Sequence, residues 1–308
     1  MSTFNIRLFG KVVVQCDGRV IDGLDAHRVQ ELFCFLVLHR DQPHARESLA
    51  GRLWPDTSTS QSRKNLRQAI WQLQSALEPS GAVPGDRILI VEPEWIQFNM
   101  SAGCSLDAAD VERAYSAVEG RRGMQLDAGA VAMLQAAVDL YQGELLAGWY
   151  QDWCLYERER FQHMYLAMLD KLVGYCEGQR EYEAGLNYGN RALRTDRARE
   201  RTHRRVMRLY YLNGNRTEAI RQYARCVEAL REELGVEPSA STTALFERIC
   251  AGEADGDPGM GTSPSFVTFP LEDVQHRLEE LRGLLLQAEA QIQEDIQLVQ
   301  RALDAQRS

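Results

Sequence analysis

At 308 residues, 44% hydrophobic and 26% charged, the chain has material for two or three units with cores of their own, which excludes a disordered protein. A formal net charge of −9 fits nucleic-acid binding badly until it is divided: residues 1–100 carry 11 basic and 11 acidic side chains, 101–253 carry 20 and 23, and 254–308 carry 4 and 10. The acidity thus lies outside the first hundred residues. No run approaches the 18 apolar residues of a membrane span, no basic start precedes an apolar core as in a secretory leader, and seven cysteines are scattered without a C-x-x-C pair. A cytoplasmic protein with reduced core thiols is expected.

In chain order, "FNIRLFGKVVVQCDGRVI" alternates like strands about an Asp17-Gly18 turn, predicting a short antiparallel sheet. "HRVQELFCFLVLHR" spaces Leu32, Phe35, Leu36 and Leu38 as a core-facing helical stripe, and "ARESLAGRLW" is a second short helix stopped by Pro55. A third helix follows over Gln61 to Leu77. Its stretch "SRKNLRQAIWQLQSAL" contains no acidic residue and puts Leu66, Ile70, Leu73 and Leu77 in one sector, with Lys64, Gln68, Trp71 and Ser75 opposite. An outward indole has no reason to leave the core unless something covers it, either a partner or a neighbouring part of the chain. "DRILIVEPEWIQFNM" then gives two alternating runs about Glu92-Pro93-Glu94, a hairpin closing the first unit near Met100.

The order of strands, three helices and a hairpin resembles a winged helix-turn-helix of the OmpR type. "RESLAGRLWPDTSTSQSRKNLRQAIWQLQSALEP" is similar to the DNA-binding domain of the bacterial activators grouped as Streptomyces antibiotic regulatory proteins (SARPs). The resemblance implies a third helix in the major groove of double-stranded DNA and a hairpin that serves as the wing. On that reading Lys64, Arg67, Gln68 and Trp71 contact DNA. Arg63, nearer the buried edge, reaches a phosphate, and Arg46 with the first amides of the "ARESL" helix holds another. Gln68 can pair bidentately with adenine, whereas Arg67 suits guanine or the backbone. Two departures stand out. Gln72, Gln74 and Ser75 occupy places where the family commonly has arginines, and the wing tip carries Glu92 and Glu94. The missing arginines imply weaker non-specific binding and a shallower salt slope than is usual for the family, and the acidic tip would be repelled by a minor groove.

From about Ser105 strand signals vanish. "SLDAADVERAYSAVEG" and "DAGAVAMLQAAVDLY" read as helices, and short amphipathic helices continue to about Ala251. "REYEAGLNYGNRAL" aligns with "NRTEAIRQYARCVEAL" at an offset of 35 residues, Glu183-Ala184 over Glu218-Ala219 and Tyr188 over Tyr223. A period near 34 residues with small residues at crossings marks tetratricopeptide-type helical hairpins. "DLYQGELLAGWYQDWCLYERERFQHMYLAMLDKL" and "AIRQYARCVEALREELGVEPSASTTALFERI" resemble the bacterial transcriptional activator domain that follows the winged helix in SARPs, which implies a part in dimerisation and activation. Arg158, Arg160 and Arg205 are either solvated or able to bind an anion.

"GEADGDPGMGTSPS" reads as a linker over 252–269. Beyond it Leu271, Val274, Leu278, Leu281, Leu285, Ala288, Ile292 and Val299 recur at coiled-coil spacing over 270–306. The expected use is a homodimer, zipped from about Leu271 to Leu303, that presents two winged helices to paired half-sites. A cap folded back on the repeats, or a different partner, remains open.

Enzyme chemistry is not indicated. His27, His39, His44, His163, His203 and His276 form no H-E-x-x-H and no metal spacing with cysteine, and neither a G-x-S-x-G nor a phosphate-binding glycine loop is present. With all plausible strands inside residues 1–100, no phosphoacceptor receiver domain can be traced. The expected architecture is mainly α: a winged helix over 1–100, a tetratricopeptide-like helical domain over 101–251, the linker and the coiled coil. The expected function is a DNA-binding transcriptional activator that recruits RNA polymerase, with no cofactor, no metal and no membrane. The alternative is a tetratricopeptide-type scaffold whose winged fold binds protein.

Overall fold

The computed structural model describes residues 4–253 apart from 22, 23, 25, 78–86, 100 and 102. Residues 1–252 form one compact unit. The coiled-coil positions Leu271 to Val299 and most of the linker lie outside the described residues.

The chain opens with β1 (Phe4–Arg7), β2 (Val13–Cys16) and β3 (Arg19–Val20), an antiparallel set in which Ile6 faces Val14 across the first pair. Asp17 and Gly18 both adopt positive φ, 48° and 79°, the two-residue turn whose twist matches its strands. Phe4, Ile6 and Val14 are buried in the same apolar core as the side chains of α1 (His27–Leu38). The apolar stripe expected on α1 proves too narrow. Phe33, Cys34 and Val37 are buried together with Leu32, Phe35, Leu36 and Leu38. A helix buried on every side needs neighbours on every side: α1 is covered by the winged unit on one flank and on the other by the 28-residue α6 (Asp152–Gln179), whose Trp153 ring lies edge-on to Phe35 at 5.4 Å.

Next come β4 (His44–Ala45), α2 (Arg46–Leu53) and α3 (Thr59–Leu77). Pro55 ends α2, since the residue before a proline is pushed out of helical geometry, and Trp54 has φ −133° and ψ 62°. β5 (Leu89–Val91) and β6 (Trp95–Phe98) form the hairpin, with β4 paired to β6 in a second, three-stranded sheet.

The expectation that strands end by residue 100 fails at β7 (Cys104–Leu106), which pairs parallel with β1 as the fourth strand of the first sheet. Three residues are too few for an alternating pattern to declare itself; the strand exists because β1 offers it an edge. Asp107, directly after β7, accepts the backbone N–H groups of Leu8 (2.7 Å) and Phe9 (3.1 Å). Burial pushes its carboxyl pKa up, and the amides of Phe9, Leu8 and Ala108 pull it back. Phe9 lies tilted against the Tyr141 ring and edge-on to Phe161, and one apolar core runs from Phe4 to Ala192. The boundary near Met100 is thus a change of secondary structure inside a continuous core.

The remainder is helical: α4 (Asp107–Ala117), a 3₁₀ turn at Gly123–Gln125, α5 (Ala128–Leu140), α6, α7 (Tyr182–Thr195), α8 (Glu200–Leu212), α9 (Arg216–Leu234) and α10 (Ala240–Ala251). The repeat read from the sequence corresponds to two helical hairpins, α7 with α8 and α9 with α10, stacked through α8 and α9. Small residues do sit at the crossing: a Cβ on Gly189 would lie 2.5 Å from Val206 Cγ2, so only glycine lets α7 approach α8 so closely. No helix among the described residues is long and apolar enough to cross a membrane.

Candidate nucleic-acid interface

The Ser58 hydroxyl accepts the Gln61 amide at the start of α3, and Ser62 turns its own hydroxyl back to the Thr59 carbonyl at 3.0 Å. The helix therefore begins two residues earlier than its apolar period suggests. Leu66, Ala69, Ile70, Leu73 and Leu77 are buried, each large aliphatic contributing about 1.5–3 kcal/mol to docking the helix. Lys64, Arg67, Gln68, Trp71 and Ser75 are exposed.

Trp71 is 67% exposed, so neither the wing nor the helical domain covers it. Neither Lys64 nor Arg67 has an ion-pair or hydrogen-bond partner among the described residues. The start of α2, the first half of α3 and the wing tip enclose an open groove of about 960 Å3, lined by Arg46, Glu47, Ser60, Arg63, Arg67 and Glu94.

Arg63 and Arg46 are differently placed. Arg63 pairs with Glu47 across the groove, a contact between exposed side chains that is worth little and easily exchanged. Arg46 donates its guanidinium to the Glu92 carbonyl at 3.1 Å and its backbone N–H to the Glu94 carbonyl at 2.9 Å, which braces the wing against α2. That amide is therefore already engaged. Glu92 and Glu94 stand exposed at the wing tip.

The arginines flagged in the helical region have internal partners. Arg158 donates to the carbonyls of Leu145, Leu146 and Trp149. Arg160 bridges Glu157 and Glu112, Glu112 also takes Arg40, and Glu157 lies 3.6 Å from His39, so α4, α6 and the end of α1 share one polar network. Glu31, 1% exposed, is held by Arg28 and faces the Trp153 indole N–H. Sequence reasoning missed this seam and Asp107 because the partners lie up to 122 positions apart and obey no local period. Buried thiols at Cys34, Cys154, Cys176 and Cys226 have their pKa pushed up by burial, as expected of core cysteines.

Residues 106–250 match the bacterial transcriptional activator domain family. Over 242 residues the chain is 26% identical to the regulatory protein AfsR of Streptomyces coelicolor, a match covering 79% of this chain and 24% of AfsR, so the chain spans about a quarter of that protein's length. It is 24% identical over 243 residues to the transcriptional regulatory protein MoaR1 of Mycobacterium tuberculosis, covering 73% of each. The fold is similar to that of Mycobacterium tuberculosis EmbR, solved with a low-affinity phosphopeptide, at a TM-score of 0.61 and 19% identity, over 82% of this chain and 66% of that one. Residues 106–250 thus match the bacterial transcriptional activator domain family, and over most of its length the chain is similar to proteins described as regulators.

Proposed function

We propose that the chain is a sequence-specific DNA-binding regulator of transcription, an activator that docks α3 in the major groove and touches RNA polymerase through the helical domain. The observation that carries the reading is the outward face of α3: two unpartnered cations, an amide side chain and a 67%-exposed indole beside a groove bordered by the wing. Unpaired Lys64 and Arg67 supply the charge that neutralises phosphate or reads guanine, Gln68 matches the adenine edge, and Trp71 offers a large apolar surface for groove contact. Arg63 joins by exchanging Glu47 for a phosphate, and Arg46 sets the wing. The heptads from Leu271 to Val299 pair two copies of a cytoplasmic homodimer on spaced half-sites.

The test is a salt titration of binding to genomic fragments. Wild type should lose affinity steeply with salt, and Lys64→Ala/Arg67→Ala should bind at least about tenfold more weakly, with a salt slope shallower by about two. Absence of DNA binding at moderate salt by both proteins would favour the scaffold reading, in which the same exposed face holds a protein.

A further inference from the structure

The geometry points to a binding site in the helical domain for a small ligand carrying two or more phosphate groups, in the cavity between the α4–α5 turn, the middle of α6 and the start of α8. That cavity is about 660 Å3, within the range of small-molecule sites, and Arg121, Arg122, Lys171, Arg199, Arg201 and Arg205 converge on it from three elements. Its acidic lining is Glu119, Asp170 and Glu177. Two of these nine charges are neutralised from outside: Arg208 holds Glu177 at 2.8 Å, and Asp127 holds Arg121 at 2.9 Å. Five cations then face two acids. Asp170 is shared between Arg205 at 2.8 Å and Arg201 at 3.4 Å, and Arg122 and Arg199 have no ion pair among the described residues.

The convergence is enforced by the backbone. A Cβ on Gly123 would lie 2.3 Å from the Lys171 carbonyl oxygen and 3.0 Å from the Tyr175 nitrogen, so the turn bearing Arg121 and Arg122 rests directly on α6. The Arg205 guanidinium packs over Gly174, beneath it on α6, 3.6 Å from where a Cβ would stand, an ordinary contact distance. Lys171 donates to the Arg121 carbonyl at 2.5 Å. Burial holds its ammonium below the usual lysine range, Asp170 opposes that, and Arg121 adds to it, a state that a bound anion would relieve. Planar guanidinium groups on opposite walls suit the bidentate recognition of neighbouring phosphates. An extended phosphate backbone follows a surface, whereas this cavity is walled by three elements, which selects a compact ligand.

The test is calorimetric titration of the full chain with inorganic pyrophosphate at fixed ionic strength. Wild type and Lys64→Ala/Arg67→Ala should bind alike, and Arg122→Ala/Arg199→Ala should bind about tenfold or more weakly with an unchanged melting temperature, because neither side chain holds another. No binding by wild type at millimolar pyrophosphate would overturn the site. So would binding unaffected by the Arg122/Arg199 pair, or weakened equally by the α3 pair. The outcome is independent of DNA binding.

Discussion

The third helix of the winged unit and, outside the cavity lined by Arg122 and Arg199, the helical domain both carry many cations, and they use them in opposite ways. On α3 Lys64 and Arg67 have no partner among the described residues and Arg63 has only an exposed, exchangeable one. In the helical domain Arg158, Arg160, Arg191 and Arg216 are anchored on carbonyls or carboxylates of neighbouring elements. A cation whose hydrogen bonds are already made contributes to stability, whereas an unpartnered one is available to a ligand. Position in the hydrogen-bond network, more than residue type, separates the two roles.

That comparison can be broken by variants that move stability and affinity separately. The largest stability effect is expected at the seam between the two regions. Asp107→Ala leaves the buried amides of Leu8 and Phe9 without an acceptor and should cost about 4 kcal/mol, read as a loss in urea midpoint. Arg158→Ala strips hydrogen bonds from three carbonyls and should cost about 2 kcal/mol, while DNA affinity per folded molecule stays unchanged. Trp71→Ala should behave oppositely, with a stability change below about 0.5 kcal/mol and DNA binding weakened about tenfold. A Trp71→Ala protein that melted much earlier would show that the indole is structural after all.

A smaller effect concerns pH. His203 is buried, with its Nε2 against the Arg197 carbonyl and its Nδ1 against Gln222. Burial depresses its pKa below the ordinary histidine value, and the Arg197 and Gln222 contacts oppose that only in part. The unfolded chain then binds the proton first, so stability falls as pH drops from the unfolded histidine value through the depressed folded one. Thermal melts between pH 7 and 5 should show this decline, and His203→Gln should reduce it.

The two regions also differ in how much of them the sequence disclosed. Helix α3 was legible because a surface helix with one buried side writes its environment at period 3.6: Leu66, Ile70, Leu73 and Leu77 went in, and Lys64, Gln68 and Trp71 came out. The α7–α10 hairpins were legible through their offset of 35 residues. What stayed hidden was long-range. Strand β7 depends on an edge supplied by β1, and the Arg40–Glu112–Arg160–Glu157 network joins residues whose spacing carries no signal. The full burial of α1 was understated because its second flank is covered by α6, far along the chain.

The most direct measurement is capture of genomic DNA fragments by the purified protein at physiological salt, comparing wild type with Arg67→Ala/Trp71→Ala. Wild type should enrich a paired motif whose half-sites are separated by about one or two helical turns, and the double variant, equally folded, should lose it. Equal enrichment by both proteins, or capture without any shared motif, would contradict the assignment of α3 as the reading helix.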